Sequence, residues 1–303
     1  MTVLRVPGPS HAPVSQPVID QSRAATVKLA VGYVLMVLVA IAFLYPLWWM
    51  VSSAFKPGAS ILNDPLAFHP GQATLANFRL VFQNIPIGRA FVNTAIVILI
   101  KGTITLVFCP LAGYGFAKFR FPFRDTLFGL VLLTLMLPTL VLIIPLLLEM
   151  SQVGWINTYQ ALILPGSVDA FSVFWMRQVI SQVPDELLDA ARIDGCGPFG
   201  IFRRIVAPVI RPSIAALAVL TVLNIYNDFV WPVVAVSTES RQTLQVLLYG
   251  LSTQVTGGQP GIDLSSLWGE LAATCTIATI PLLLVFLVLQ KHFIRGLLAG
   301  SSR

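Results

Sequence analysis

The sequence predicts an all-α integral membrane protein with six transmembrane helices and both termini in the cytoplasm. Two observations set the fold class and a third sets the orientation. Of the 303 residues, 56% are hydrophobic and 11% charged, against about 25% charged in a soluble domain. The missing charge is concentrated in blocks: residues 29–55, 126–148 and 271–290 contain no Asp, Glu, Lys or Arg. A helix needs about 20 apolar residues to cross the hydrocarbon core. Backbone amides in lipid must also pair internally, so apolar runs of this length read as spanning helices. Lys and Arg, which favour the cytoplasmic side, then place the segments between the blocks.

Spans are predicted near 27–51, 88–112, 126–148, 158–180, 208–234 and 268–290. Residues 1–26, rich in Pro and Ser, read as a disordered cytoplasmic tail. The apolar block behind them exceeds the roughly 7–15 residues of a secretion signal, so it reads as a retained first span. Prolines 46, 138, 145, 165 and 281 fall inside predicted spans, where neighbouring helices can satisfy the freed carbonyls. With the N-terminus inside, the inner segments hold fourteen Lys and Arg, among them Lys118, Arg192, Arg203 and Arg204. The outer loops hold four: Lys56, Arg79, Arg89 and Arg241. That asymmetry fixes the orientation and accounts for the net charge of +6 without any nucleic-acid partner. The outer stretches at about 52–87 and 235–267 are long enough to suggest function rather than simple connection. Residues 27–290 thus form one six-span domain, followed by a cytoplasmic tail at 291–303.

Catalytic and metal constellations are missing from the sequence. Cys109, Cys196 and Cys275 are far apart, His11, His69 and His292 are scattered, and neither a His-Glu-x-x-His motif nor a phosphate-cradling Gly-x-x-x-x-Gly-Lys-Ser/Thr loop is found. No cofactor is expected in this chain. Energy for ATP-driven work would have to come from another polypeptide.

The stretch 183–208, between spans four and five, is the most informative. Pro184 suits the first position of a helix, and Asp185 and Glu186 suit the positive end of its dipole. Leu187, Ala190, Ala191 and Asp194 follow helical spacing, and Asp189 can pair with Arg192. Gly195 is placed to end the helix in a left-handed conformation. Pro198 can start a second helix, with Phe199, Phe202 and Ile205 on one stripe and Arg203 and Arg204 off it. Pro208 ends that helix or kinks it. The result is a helix–turn–helix hairpin at the inner membrane surface.

Asp189-Ala190-Ala191-Arg192-Ile193-Asp194-Gly195, then Phe202, Ile205 and Pro208, resembles the EAA loop of binding-protein-dependent ABC importer permeases. Two positions depart from the family pattern: Asp189 stands for the usual Glu, and Ala207 where Leu is common. Phe91-Val-Asn-Thr94, Gly113-Tyr-Gly-Phe-Ala-Lys-Phe119, Tyr226-Asn-Asp-Phe-Val-Trp-Pro232 and Gln290-Lys-His-Phe-Ile-Arg-Gly296 are similar to the carbohydrate-uptake branch. Within that branch the resemblance is to the maltose-type second permease. It implies a bacterial inner-membrane, multi-pass subunit that translocates a sugar without catalytic residues of its own. The implied partners are a second permease, two ABC ATPases that bind ATP and Mg²⁺, and an extracytoplasmic sugar-binding protein. The loop would insert into an ATPase cleft.

Charges inside predicted spans are costly, at least about 2.5 kcal/mol at mid-bilayer on insertion scales. Such residues face a water-filled path, pair with one another, or sit at an interface. Lys101, Asp169, Asp228 and Glu270 are the cases here. Asp228 with Asn224, Asn227 and Trp231 resembles a sugar-contacting cluster, with polar groups for hydroxyls and an aromatic face for a ring. The same four also fit a structural cluster near the outer end of span five. A secondary transporter driven by an ion gradient is the rival from another class; it would favour matched broken helices in two repeated halves, and the first three spans offer no counterpart to Pro165-Gly166 and Asp169.

Overall fold

The computed structural model describes residues 19–64, 73–257 and 264–299. Among the described residues every regular element is helical, as the sequence predicts. They divide into two units, the stretch up to Trp49 and the stretch from Met50. The first unit is most of a single helix, α1 (Ile19–Ala54), with Pro46 inside it. Its start at Ile19 overlaps the end of the expected disordered tail; residues 1–18 of that tail lie outside the described residues.

The second unit departs from the predicted spans at three places. The second span holds as α4 (Ile87–Lys118), which runs one and a half turns further than expected. The third is broken into α5 (Arg124–Met136) and α6 (Thr139–Gln152), bent by 106°. Pro138 explains the break: Leu137 before it is extended, with ψ 124°, as the residue preceding a proline prefers. The fourth is two short helices, α7 (Tyr159–Ile163) and α8 (Ala170–Ser181), interrupted around Gly166, which takes φ +69°. The fifth is α12 (Arg211–Asn227), broken at Asp228 before α13 (Val230–Ala235). The sixth is part of α15 (Leu264–Ala299), whose helix also takes in most of the expected C-terminal tail. Among the described residues three helical stretches are long and apolar enough to cross a membrane, Lys28–Ala54, Ile87–Lys118 and Leu264–Val285. Two bent pairs bring that number to five.

The segments expected as long outer loops are largely helical. The first holds α2 (Gly58–Asn63) and α3 (Ala76–Asn84), both packed on α15. A side chain at Gly58 would collide with the Ser265 carbonyl, and one at Gly269 with the Asn77 amide. Asn77 in turn donates to the carbonyls of Ala54 (3.0 Å) and Lys56 (2.8 Å). The second holds a 3-10 turn (Glu239–Arg241) and α14 (Leu244–Gly257), packed on α15 and α4. The Gly-rich tip at 258–261 lies outside the described residues.

Helix α4 organises the unit, with its most extensive pairing to α8 and a further one to α12. The approach to α8 depends on Gly113: a Cβ there would sit 2.8 Å from both Met176 Cβ and the Arg177 backbone nitrogen.

Candidate functional site

The first candidate is the segment 183–208. Helix α9 (Asp185–Ile193) begins one residue after the predicted start, with Pro184 as its N-cap and Asp185 and Glu186 in its first turn. Lys118, at the end of α4 and almost buried, ties this helix to the membrane domain. Its Nζ donates to the Val183 carbonyl at 2.6 Å and to Asp185 Oδ1 at 2.7 Å. That hydrogen bond and charge hold the Asp185 carboxyl below the usual carboxylate range.

The buried face of α9 is Leu188 and Ala191, packed with Met176 and Ile180 of α8. Leu187 and Ala190, which helical spacing had grouped with Ala191, are instead exposed. Asp189 and Arg192 pair at 2.6 Å, both well exposed. The helix closes in a complete Schellman motif. Gly195 takes φ +78°, its N–H donates to the Arg192 carbonyl (3.0 Å), and the Cys196 N–H donates to the Ala191 carbonyl (2.9 Å). The open face therefore carries Asp189, Ala190, Ile193 (87% exposed) and Asp194.

Beyond the turn, α10 (Pro198–Ile201) runs through a π-helical turn (Phe202–Val206) into α11 (Ala207–Val209). In π geometry residues five apart stack, and Ile201 and Val206 are both fully buried. Phe202 and Ile205 are half-buried beside them, and Phe202 lies 5.4 Å from the Tyr114 ring. Phe199, expected on that stripe, is 65% exposed: within α10 it stands two residues, or roughly 200° of helical turn, from the buried Ile201. Pro208 sits exposed within α11, and the chain turns by 80° two residues later, at Ile210.

The second candidate is a cavity of about 430 Å³ bordered by the breaks in all three interrupted segments, α5–α6, α7–α8 and α12–α13. Thr139 follows the Pro138 break, Gly166 and Asp169 come from the α7–α8 break, and Asp228 from the α12–α13 break. Lys101 and Thr105 reach it from α4, and Asn224 and Asn227 from α12. Asp169 is fixed as the N-cap of α8, accepting the Ser172 N–H at 2.9 Å and also its hydroxyl. Three of the four proposed sugar-pathway residues, Asn224, Asn227 and Asp228, thus share one cavity with two charges that the sequence had marked only as costly, Lys101 and Asp169. The hydroxyl residues Thr105, Thr139, Ser172 and Thr221 escaped notice because an isolated Ser or Thr in an apolar run carries no signal; the helix breaks beside Thr139 and Ser172 would have supplied it.

Trp231 does not line the cavity. It is buried in a separate core with Ala161 and Ala235, and its indole N–H donates to the Ala161 carbonyl at 2.7 Å. Trp231→Phe is expected to cost about 1–3 kcal/mol by leaving a buried carbonyl unpaired, lowering the thermal midpoint in detergent with no change in solute preference. An altered preference at unchanged stability would return Trp231 to the pathway.

Residues 110–298 match the family described as binding-protein-dependent transport system inner membrane component. The chain is 34% identical to an arabinooligosaccharides transport system permease protein of Halalkalibacterium halodurans, over 91% of this chain and 95% of that one. It is 32% identical to a lactose transport system permease protein of Rhizobium radiobacter, over 89% and 95%. A sn-glycerol-3-phosphate transport system permease protein of Pectobacterium atrosepticum is 29% identical over 89% and 96%. In fold the chain is similar to a chain of a bacterial ABC transporter involved in import of the acidic polysaccharide alginate, with a TM-score of 0.78 and 21% identity, covering 92% of this chain and all of that one. A chain whose described elements are all helical, with apolar helices long enough to cross a membrane, a capped helix α9 and a polar cavity among broken helices, therefore belongs to the binding-protein-dependent transport system inner membrane component family.

Proposed function

We propose that this chain is one of two membrane-spanning subunits of an ATP-driven importer of the ABC class, and that it passes a sugar handed over by an extracytoplasmic binding protein. Six crossings are assigned: α1, α4 and α15 as continuous helices, and α5–α6, α7–α8 and α12–α13 as interrupted ones. Both termini lie on the cytoplasmic side. Relatives named for arabinooligosaccharides and lactose support a sugar as cargo. The cavity among the interrupted spans belongs to the solute path.

The observation that carries the coupling role is the open face of α9 in a chain of this family. Leu188 and Ala191 anchor the helix inward, while Asp189, Ala190, Ile193, Asp194 and the Gly195 turn remain uncovered. Ile193, 87% exposed, shares this open face with the Asp189 and Asp194 carboxylates. Two ATPase subunits that bind Mg²⁺ and ATP would receive this face and the following Phe202–Pro208 arm. Their closure would move the hairpin and turn the spans outward. The chain itself contributes no catalytic residue to this cycle.

Purification of the tagged chain in mild detergent, followed by mass spectrometry, tests the assembly. An ATPase and a second permease are expected to travel with it. Recovery of the chain alone, transporting without ATP, would overturn the proposal in favour of an ion-driven carrier. Charge at Asp189 gives a finer test. The Asp189–Arg192 pair is exposed, so losing it costs the fold no more than about 0.5 kcal/mol. Asp189→Ala is therefore expected to keep uptake within about threefold of wild type. Asp189→Lys sets a second cation beside Arg192 and should lower uptake at least tenfold at equal membrane abundance. Equal uptake by both variants would remove Asp189 from the contact.

A further inference from the structure

We propose that Lys101, Asp169 and Asp228 form a charge-selective hydroxyl site in the cavity, one that admits uncharged polyhydroxylated solutes and turns back phosphorylated or carboxylated ones. The proposal rests on the permease reading above and adds the electrical class of the cargo.

Lys101 lies near the middle of α4, roughly 21 Å along the axis from Ile87 and roughly 26 Å from Lys118. An ionised group at that depth is expensive, and residues of this kind mark solute or ion paths. Asp169 and Asp228 line the same cavity as Lys101. Yet among the described residues no ion pair within 4.0 Å joins Lys101 to either carboxylate. Opposite charges around Lys101 are thus held near one another without touching.

The separation is built into the backbone. Asp169 is committed to the first turn of α8 by the Ser172 N–H and hydroxyl, so it is not free to swing toward the lysine. Asp228 is carried on an extended residue between α12 and α13. On another side Lys101 meets the backbone at Gly166, where a Cβ would stand 3.8 Å from Nζ. Three elements therefore hold an ammonium and two carboxylates apart across an open space.

A hydroxyl is both donor and acceptor, so one group accepts from Lys101 while donating to a carboxylate. Asn224 and Asn227, also on the cavity, offer the same dual capacity through their amides. A polyol satisfies this arrangement with several hydroxyls at once. An anionic solute gains Lys101 but must lie beside two carboxylates, and the reduced dielectric away from bulk water strengthens that repulsion.

The test uses the complete importer, with the second permease and ATPases, purified and reconstituted in liposomes with its binding protein. Neutral gluco-, galacto- and arabino-oligosaccharides serve as probes beside analogues ending in a uronic acid. Wild type is expected to take up neutral probes, and the purified importer without binding protein should hold them at least tenfold more tightly than the acidic analogues. Lys101→Met should lower neutral uptake at least tenfold while ATP hydrolysis stays responsive to loaded binding protein. Asp228→Asn removes a charge but keeps an acceptor; it should narrow the neutral-to-acidic binding ratio at least fivefold. Wild-type-like uptake by Lys101→Met, or an unchanged ratio in Asp228→Asn, would overturn the site. Lys101→Gln, which keeps a donor, guards against misfolding: failure of both lysine variants to assemble would make the charge structural and also overturn it. A wild-type importer that takes up no probe with ATP would instead defeat the permease reading itself.

Discussion

Gly195→Pro is expected to abolish uptake, by tenfold or more, while the chain still inserts and reaches wild-type abundance in the membrane. Gly195 closes α9 with φ +78°, and proline is confined near −65°. The substitution also deletes the N–H that donates to the Arg192 carbonyl at 3.0 Å. Both bonds of the Schellman motif then have to be rebuilt, and the arm from Pro198 onward leaves α9 in a new direction. The change leaves the apolar spans intact, so insertion is spared. Two further variants sort the cause. Gly195→Asn tolerates the left-handed region and keeps the N–H, so it should transport nearly as wild type. Gly195→Ala keeps the N–H but carries a Cβ penalty of roughly 1–2 kcal/mol and should fall between. Uptake in vesicles, normalised to membrane protein, reads all three. Normal uptake by the proline variant would mean that the turn transmits nothing.

The second large effect is expected inside the membrane domain. Gly113→Ala adds one methyl group where the added carbon would lie 2.8 Å from Met176 Cβ and from the Arg177 nitrogen. The obstacle includes backbone of α8, which does not yield as a flexible side-chain end would. Overpacking of this kind costs typically 1–3 kcal/mol. Because α8 leads straight into Pro184 and α9, the displacement should reach the hairpin as well, lowering both thermal stability in detergent and uptake. Gly115→Ala is the matched control. It makes the same chemical change two residues along the same helix, at a position with no atom within 4 Å of the new carbon. There the gain in helix propensity, about 0.5–1 kcal/mol, should leave the protein equally or more stable. Equal behaviour of the two variants would show that α4 and α8 do not depend on close approach.

What could be read from the sequence divides along physical lines. Membrane character, the all-α class and the left-handed Gly195 turn were legible because each follows from composition or from one residue's local geometry. Helix continuity was not. Pro138, Pro165 and Pro281 all fall in apolar runs, but only Pro281 is carried inside a helix. The other two stand at breaks, one beside an extended Leu137 and one beside the left-handed Gly166, and periodicity gives no warning of the difference. The cavity was half legible for the same reason. Asn224, Asn227 and Asp228 lie within one stretch of sequence and could be grouped, whereas Lys101, Thr139 and Asp169 join them only because the broken segments converge. Trp231 was grouped by its nearness in sequence and separated by the change of direction at Asp228. The aligned pair at Asp189 and Arg192 was foreseeable from spacing alone, while the burial of Leu188 rather than Leu187 depended on where α8 lies.

The π turn at Phe202–Val206 has a consequence for how this arm should be compared between proteins. In terms of length, the turn is a one-residue insertion already absorbed by the backbone, with the Ala207 N–H reaching the Phe202 carbonyl five residues back. A chain one residue shorter here could keep every bond in ordinary α geometry. It would reach the position of Ile210 with the residues upstream in almost the same orientation, because a π turn closes about one revolution with one residue more than an α turn. A one-residue gap placed in this segment of an alignment therefore marks a change of local width rather than of orientation. The arm of a shorter chain is matched to this one by that gap, not by sliding every upstream residue along by one.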